Sequence, residues 1–124
     1  TDHAPHSPGK KALGLAAAPF GVIGLETLLP LTLALVERKL LGRKAAVERL
    51  SCAPARILGL KTKGGLRPGM DADVAIVDPQ ARWTAGGFAS KSSNTPFAGR
   101  RLRGRAWTVL LAGRPIVEEG RLTP

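Results

Sequence analysis

Cysteine, histidine and acidic residues are scarce in this 124-residue sequence. The single cysteine, Cys52, excludes an internal disulfide and fits a reducing, cytoplasmic setting. The only two histidines, His3 and His6, both fall within the first six residues. A hydrolytic zinc site takes about three protein ligands plus water, so the chain is short of ligands by itself. No apolar run is long enough to span a bilayer, and nothing reads as a signal peptide. The longest candidate, Val22 to Val36, is interrupted by Gly24, Glu26 and Pro30.

Lysine and arginine outnumber aspartate and glutamate by 19 to 9, a formal charge of +10. Such a balance suits nucleic acid or acidic lipid. The basic residues are scattered, however. The one dense cluster, Arg100, Arg101, Arg103 and Arg105, has few aromatics about it. The pattern reads as solvated surface, and neither nucleic acid nor membrane is expected as a partner. A small basic nucleic-acid-binding module is the rival, which steeply salt-dependent DNA binding would reveal.

The stretch with most chemistry is Thr1-Asp2-His3-Ala4-Pro5-His6. An aspartate at a strand end can ligate a metal and act as general base. Pro5 removes a backbone donor and stiffens the turn, which would fix Asp2 relative to His6. A donor His6 could grip a substrate carboxylate. Short Asp/His clusters are weak motifs, and chain starts are commonly frayed, so both readings stand on the residues alone.

Further along, Ser7 to Gly21 is expected to be a loop, ending in an apolar Pro19-Phe20-Gly21 where the backbone can approach a ligand closely. Leu25, Leu28, Leu29, Leu33, Val36 and Leu40 predict a helix over 24–41, with Glu26 in its first turn and Gly42 beyond its end. Pro30 fits only near the first turn. A second helix is expected over 43–50. A third should start from Ser51 as N-cap, with Pro54 in its opening turn, and stop at Gly59. Cys52 reads as a small buried filler.

Past Gly64-Gly65 the character turns to strands: Val74 to Val77, ended by Asp78-Pro79, then Arg82 to Thr84, then Arg105 to Ala112 with Trp107, Val109 and Leu111 on one face. Gly86 to Gly99 is a polar loop. Gly113-Arg114 should turn a hairpin into Pro115 to Glu119. These strands are too few to close a sandwich.

Thr1 to His6, Gly24-Leu25-Glu26-Thr27, Pro54-Ala55-Arg56, Gly69-Met70-Asp71-Ala72-Asp73 and Ser90 to Phe97 occur in this order in bacterial (class I) dihydroorotases, which the chain resembles over essentially its whole length. The combination of TDHAPH with SKSSNTPF is specific, whereas the G-x-D-A-D turn is shared by other amidohydrolases. The resemblance implies an α/β fold: the C-terminal part of a metal-dependent (β/α)8 amidohydrolase barrel over residues 1–60, and C-terminal strands of a small β-sandwich domain over 61–124. Strands from elsewhere in the enzyme would complete that domain.

In that family a zinc-activated water opens the ring amide of dihydroorotate. The resemblance implies Asp2 as metal ligand and proton shuttle, His6 as a binder of the substrate carboxylate, and the backbone of Phe20 and Gly21 as a contact for the pyrimidine ring. Many relatives have proline where this chain has Phe20. The loop after His6 departs as well, since Ser7-Pro8-Gly9-Lys10 lacks an acidic pair found in relatives. His3 is expected to be structural. The other zinc ligands would lie upstream, so residues 1–124 alone are expected to be inactive. The implied partners are a small-molecule substrate, the upstream part of the same enzyme, a second copy in a homodimer and aspartate transcarbamoylase. A non-catalytic dihydroorotase-like scaffold and a hydantoinase or allantoinase are the other readings in view.

Overall fold

A computed structural model describes all residues, Thr1–Pro124. Helices occupy the first half: α1 (Pro8–Lys11), α2 (Leu28–Glu37), α3 (Arg43–Val47) and α4 (Ala53–Ile57). The second half is an antiparallel meander of four strands in the order β1 (Val74–Thr84), β2 (Arg101–Leu111), β3 (Arg114–Glu118) and β4 (Arg121–Leu122). No helix is long and apolar enough to cross a membrane.

The stretch expected as a loop over 7–21 contains α1. Ser7 caps it, its Oγ accepting from the Lys10 amide at 3.4 Å, and Pro8 occupies the first turn, where a missing N–H is harmless. Helix α2 starts at Leu28 rather than Gly24, after a turn in which the Leu28 amide bonds the Gly24 carbonyl. Pro30 therefore lies in the first turn, and it is buried. The helix stops at Glu37, short of Gly42. Lys39 takes a left-handed conformation (φ 58°), while Leu40 N–H reaches the Leu35 carbonyl and Lys39 N–H the Val36 carbonyl. This is the two-bond C-terminal lock that glycine usually serves.

The expected second and third helices are one helical run. Between α3 and α4 lies a π-helical turn, Glu48–Cys52, in which Ala53 N–H bonds the Glu48 carbonyl five residues back. Pro54 explains it. In a continuous α-helix proline lacks the N–H for the Leu50 carbonyl and its ring crowds that group, and widening the ladder relieves both faults. Ser51 is thus no N-cap, and Cys52 is half-buried in the wide turn rather than in a core.

Strand β1 runs through Asp78-Pro79 to Thr84, merging the two strands expected there. Its pairing with β2 shifts between Asp78 and Arg82, so Pro79 sits in a bulge that needs no N–H from it. Strand β2 begins four residues earlier than expected. Trp107 is the extra residue of a second bulge, opposite Ile76 and Val77. The β2–β3 turn is Ala112-Gly113, not Gly113-Arg114. Both residues have positive φ (49° and 78°), which matches the twist of a two-residue hairpin.

Helix meets sheet at Gly104, which is buried at φ +92°. A Cβ there would lie 2.3 Å from Leu33 Cδ1, so α2 can lie on β2 only over a glycine. Glu37 and Arg103 pair at 2.7 Å beside this contact. Asp71 and Asp73 of the G-x-D-A-D turn both hold Lys63, and Asp73 Oδ1 accepts from Ala112 N–H at 2.8 Å. That motif therefore latches the start of β1 to the hairpin turn. The interior is thin, with Ile23, Ala46, Ala55 and Ala85 its only buried hydrophobic side chains apart from Pro30.

Candidate functional site

The first six residues are not frayed. His3 forms a parallel bridge with Val22, and Ala4 N–H bonds the Val22 carbonyl at 2.9 Å. His3 Nδ1 accepts from the amides of Gly24 (3.1 Å) and Leu25 (3.4 Å), at the turn leading into α2. Accepting there fixes the neutral tautomer with its proton on Nε2. His3 thus ties the first segment to the turn before α2.

His6 is committed through its other nitrogen. Nε2 lies 2.9 Å from the Phe20 carbonyl, which has no proton to give, so Nε2–H donates and Nδ1 is left free. The structure therefore brings His6 and the Phe20-Gly21 backbone together directly. The Phe20 ring itself is 91% exposed and packs on nothing. Gly21 has φ +94°, and a Cβ there would come within 2.5 Å of Ala4 Cβ. Glycine is what lets the two segments lie this close.

Asp2 is exposed, in a left-handed conformation (φ 47°). Aspartate tolerates that region better than most residues. Its carboxylate has no hydrogen-bond or ion-pair partner among residues 1–124. Nor does any group of three histidine, cysteine, aspartate or glutamate side chains gather as a metal cluster.

Four further residues build the site, and composition or periodicity marked only Glu26 among them, as a helix residue. Asn94 is the most connected. Its Oδ1 accepts from His6 N–H (3.1 Å), and its Nδ2 donates to the carbonyls of Ala4 (2.9 Å) and Gly21 (3.3 Å). Its own carbonyl accepts from Ile23 N–H at 3.0 Å. Ser92 Oγ lies against both the His6 carbonyl and Asn94 Oδ1 and has a single proton to share between them. Lys11 Nζ donates to the carbonyls of Pro19 (2.9 Å) and Gly21 (3.2 Å). Glu26, expected to sit in the first turn of α2, precedes that helix. Its Oε1 accepts from the amides of Ala89 (3.0 Å) and Ser90 (3.4 Å), binding the polar loop to the helix start. The signal for Ser92 and Asn94 was the SKSSNTPF string, which the sequence offered as a signature without a job. Lys11 carried no signal beyond its charge.

No protein-family model matches the chain. Among characterised proteins, it is 48% identical over 118 residues to a dihydroorotase of Geotalea daltonii and 47% identical over 118 residues to one of Pelobacter propionicus. Each alignment covers 94% of this chain and 28% of the relative. Over nearly its whole length the chain is similar to a portion of these dihydroorotases. It spans little more than a quarter of the length of these curated relatives. Solved structures agree on the amidohydrolase fold. A D-hydantoinase superposes with a TM-score of 0.82 at 26% identity, over 94% of this chain and 26% of that one. The L-hydantoinase of Arthrobacter aurescens gives 0.80 at 30% identity, over 88% and 25%. An inactive dihydroorotase-like domain from Chaetomium thermophilum shares the fold alone, with a TM-score of 0.60 at 21% identity, over 83% and 28%.

Proposed function

We propose that this chain supplies the catalytic loop of a zinc-dependent dihydroorotase, which interconverts N-carbamoyl-L-aspartate and L-dihydroorotate. One observation carries the reading. The Thr1–His6 segment is held by residues 20–25 and by Asn94, and Asp2 is the one ionisable side chain in it left without an internal partner. A tethered segment presenting a free carboxylate is what a metal-bound acid–base group requires. Identities of 47–48% with dihydroorotases against 26–30% with hydantoinases favour dihydroorotate over a hydantoin as substrate.

In this reading residues 1–60 belong to the end of a (β/α)8 barrel, and residues 61–124 to a β domain completed by other strands. Asp2 fits zinc as a single oxygen ligand, with the remaining ligands coming from outside residues 1–124. Zinc bound with Asp2 as one ligand would supply Lewis-acid polarisation of the ring carbonyl and a more acidic water. Asp2 takes the proton of the attacking water. It delivers that proton to the ring nitrogen as the C–N bond breaks, and the water's second proton passes to solvent as the new carboxyl ionises, leaving a carboxylate and a free ureido nitrogen. His6, with Nε2–H spent on Phe20, meets the substrate carboxylate through Nδ1, which donates only in the protonated ring. The Phe20-Gly21 backbone lies along the pyrimidine ring.

The test is Asp2→Asn in the complete enzyme that contains this sequence. Loss of the proton acceptor should lower kcat/KM for dihydroorotate by about 100- to 10,000-fold, with a reduced zinc content by elemental mass spectrometry. Turnover equal to the unaltered enzyme would end the proposal.

A further inference from the structure

We infer that Asn94 is a positioning residue, which sets the spacing between the His6 segment and the Phe20-Gly21 loop and so tunes substrate affinity. The inference rests on the dihydroorotase reading given above. Its basis is the bonding of one side chain. Asn94 lies 71 to 90 residues along the chain from these partners, yet it joins Ala4, His6 and Gly21 through its amide and Ile23 through its carbonyl. Both Nδ2 hydrogens and Oδ1 are used, so the amide can be satisfied in one orientation only.

The two segments it joins are the two that meet substrate. Backbone contacts join the same stretches beside it, through Ala4 N–H to the Val22 carbonyl and the His3–Val22 bridge. The His6–Phe20 bond fixes one ring, and the Lys11 bonds stay within residues 11–21. Asn94 is the side chain that bonds both segments at once, and Ser92 bonds it from behind through Oδ1. Its loop comes from the strand-rich half of the chain. Through Asn94 that half fixes the geometry of a site whose proposed catalytic groups all lie in the helical half.

The experiment compares Asn94→Ala and Asn94→Asp in the complete enzyme. Aspartate keeps the size and one acceptor oxygen but loses both donors, and it sets a charge against the Ala4 and Gly21 carbonyls. Both variants should raise KM for dihydroorotate more than they lower kcat, with kcat/KM down by about 100-fold, the loss typical of a 1 Å misplacement. Zinc content should stay at the unaltered level. Hydrogen exchange should quicken in residues 3–7 and 19–24 and nowhere else. If Asn94→Asp keeps KM within twofold, the donors have no positioning role and the inference fails. It fails equally if either variant lowers the melting temperature while KM stays put, since the residue is then merely structural. Should the unaltered enzyme leave dihydroorotate untouched, the proposed function falls alone. The exchange pattern still decides whether Asn94 orders the two segments, and unchanged exchange overturns that as well.

Discussion

Gly21→Ala tests the site's geometry at its closest approach. The added methyl would stand 2.5 Å from Ala4 Cβ, where carbon atoms pack at about 3.5–4.0 Å. Ala4 Cβ is fixed to its own backbone and cannot swing aside, so the two segments must part by about 1 Å. The residue must also keep φ +94°, which costs an L-residue about 1–2 kcal/mol. A 1 Å separation between the His6 segment and the ring-contacting loop should lower kcat/KM by about 100-fold. The assay is steady-state hydrolysis of dihydroorotate by the complete enzyme, with chemical denaturation alongside. The compensating double variant, Ala4→Gly with Gly21→Ala, removes the opposing methyl. It should recover most of the activity and leave the backbone cost in the stability. A Gly21→Ala enzyme within threefold of the unaltered one would refute the close approach. A double variant no better than the single would show that backbone strain, not contact with Ala4, is responsible.

Gly104→Ala should destabilise the protein by about 2–4 kcal/mol, from backbone strain at φ +92° together with crowding of Leu33. A loss below about 1 kcal/mol by urea denaturation would contradict the packing of α2 on β2. Ala112→Asn should stabilise by about 1 kcal/mol, because the left-handed first position of an Asn-Gly turn suits asparagine. An unchanged or lower denaturation midpoint would count against that turn. The Lys63 latch should respond to pH at both ends. Lys63 and the Ala112 amide hold the Asp73 carboxyl below its ordinary range, so its contribution is full above about 4 and fades as pH falls through the lowered value. Asp71 and Asp73 push Lys63 up to about 12, so its contribution is full below about 10.5 and fades as pH rises towards about 12. These groups are exposed and solvent screens them, so both effects should be small. Asp73→Asn should flatten the acid arm and only weaken the alkaline arm, which Asp71 still supports, and an unaltered profile would dismiss the latch.

Local chemistry was legible in the sequence where the structural cause is local. The 28–37 helix showed in its leucine spacing, and the β2–β3 hairpin showed in Gly113 after a short apolar run, one residue out of register, while the β3–β4 turn went unmarked. Boundaries were misplaced where one residue acts on a neighbour several positions away. Pro54 alters the ladder at Glu48–Cys52, and Pro79 is absorbed by a bulge that depends on the partner strand. Lys39 ends a helix in a conformation that composition assigns to glycine. In the site, Asp2, His6 and the 20–21 turn stood out by residue type. Asn94 and Ser92 showed only as part of the SKSSNTPF string, because what they do lies in partners far along the chain.

The scale of exposed surface bears on how such a site stays rigid. A compact monomer of 13.0 kDa exposes about 6,300 Å², whereas this chain exposes 9188 Å². The excess, roughly 2,800 Å², is more than three times the face that one partner contributes to a standard interface. Much of it is apolar: Leu15, Leu25, Ile57, Leu58 and Leu66 are all exposed. At about 25 cal/mol per Å² of apolar surface covered, such faces are a large store of stabilisation realised only on contact. The hydrogen bonds around Asn94 work the other way. They are part-buried, each is worth about 1 kcal/mol net, and water competes for them wherever it reaches. A site built from them keeps its shape in proportion to how well its surroundings exclude water. The free carboxylate of Asp2 and the locked ring of His6 are thus properties of the local chain, while the durability of their arrangement depends on the cover those leucine-rich faces receive.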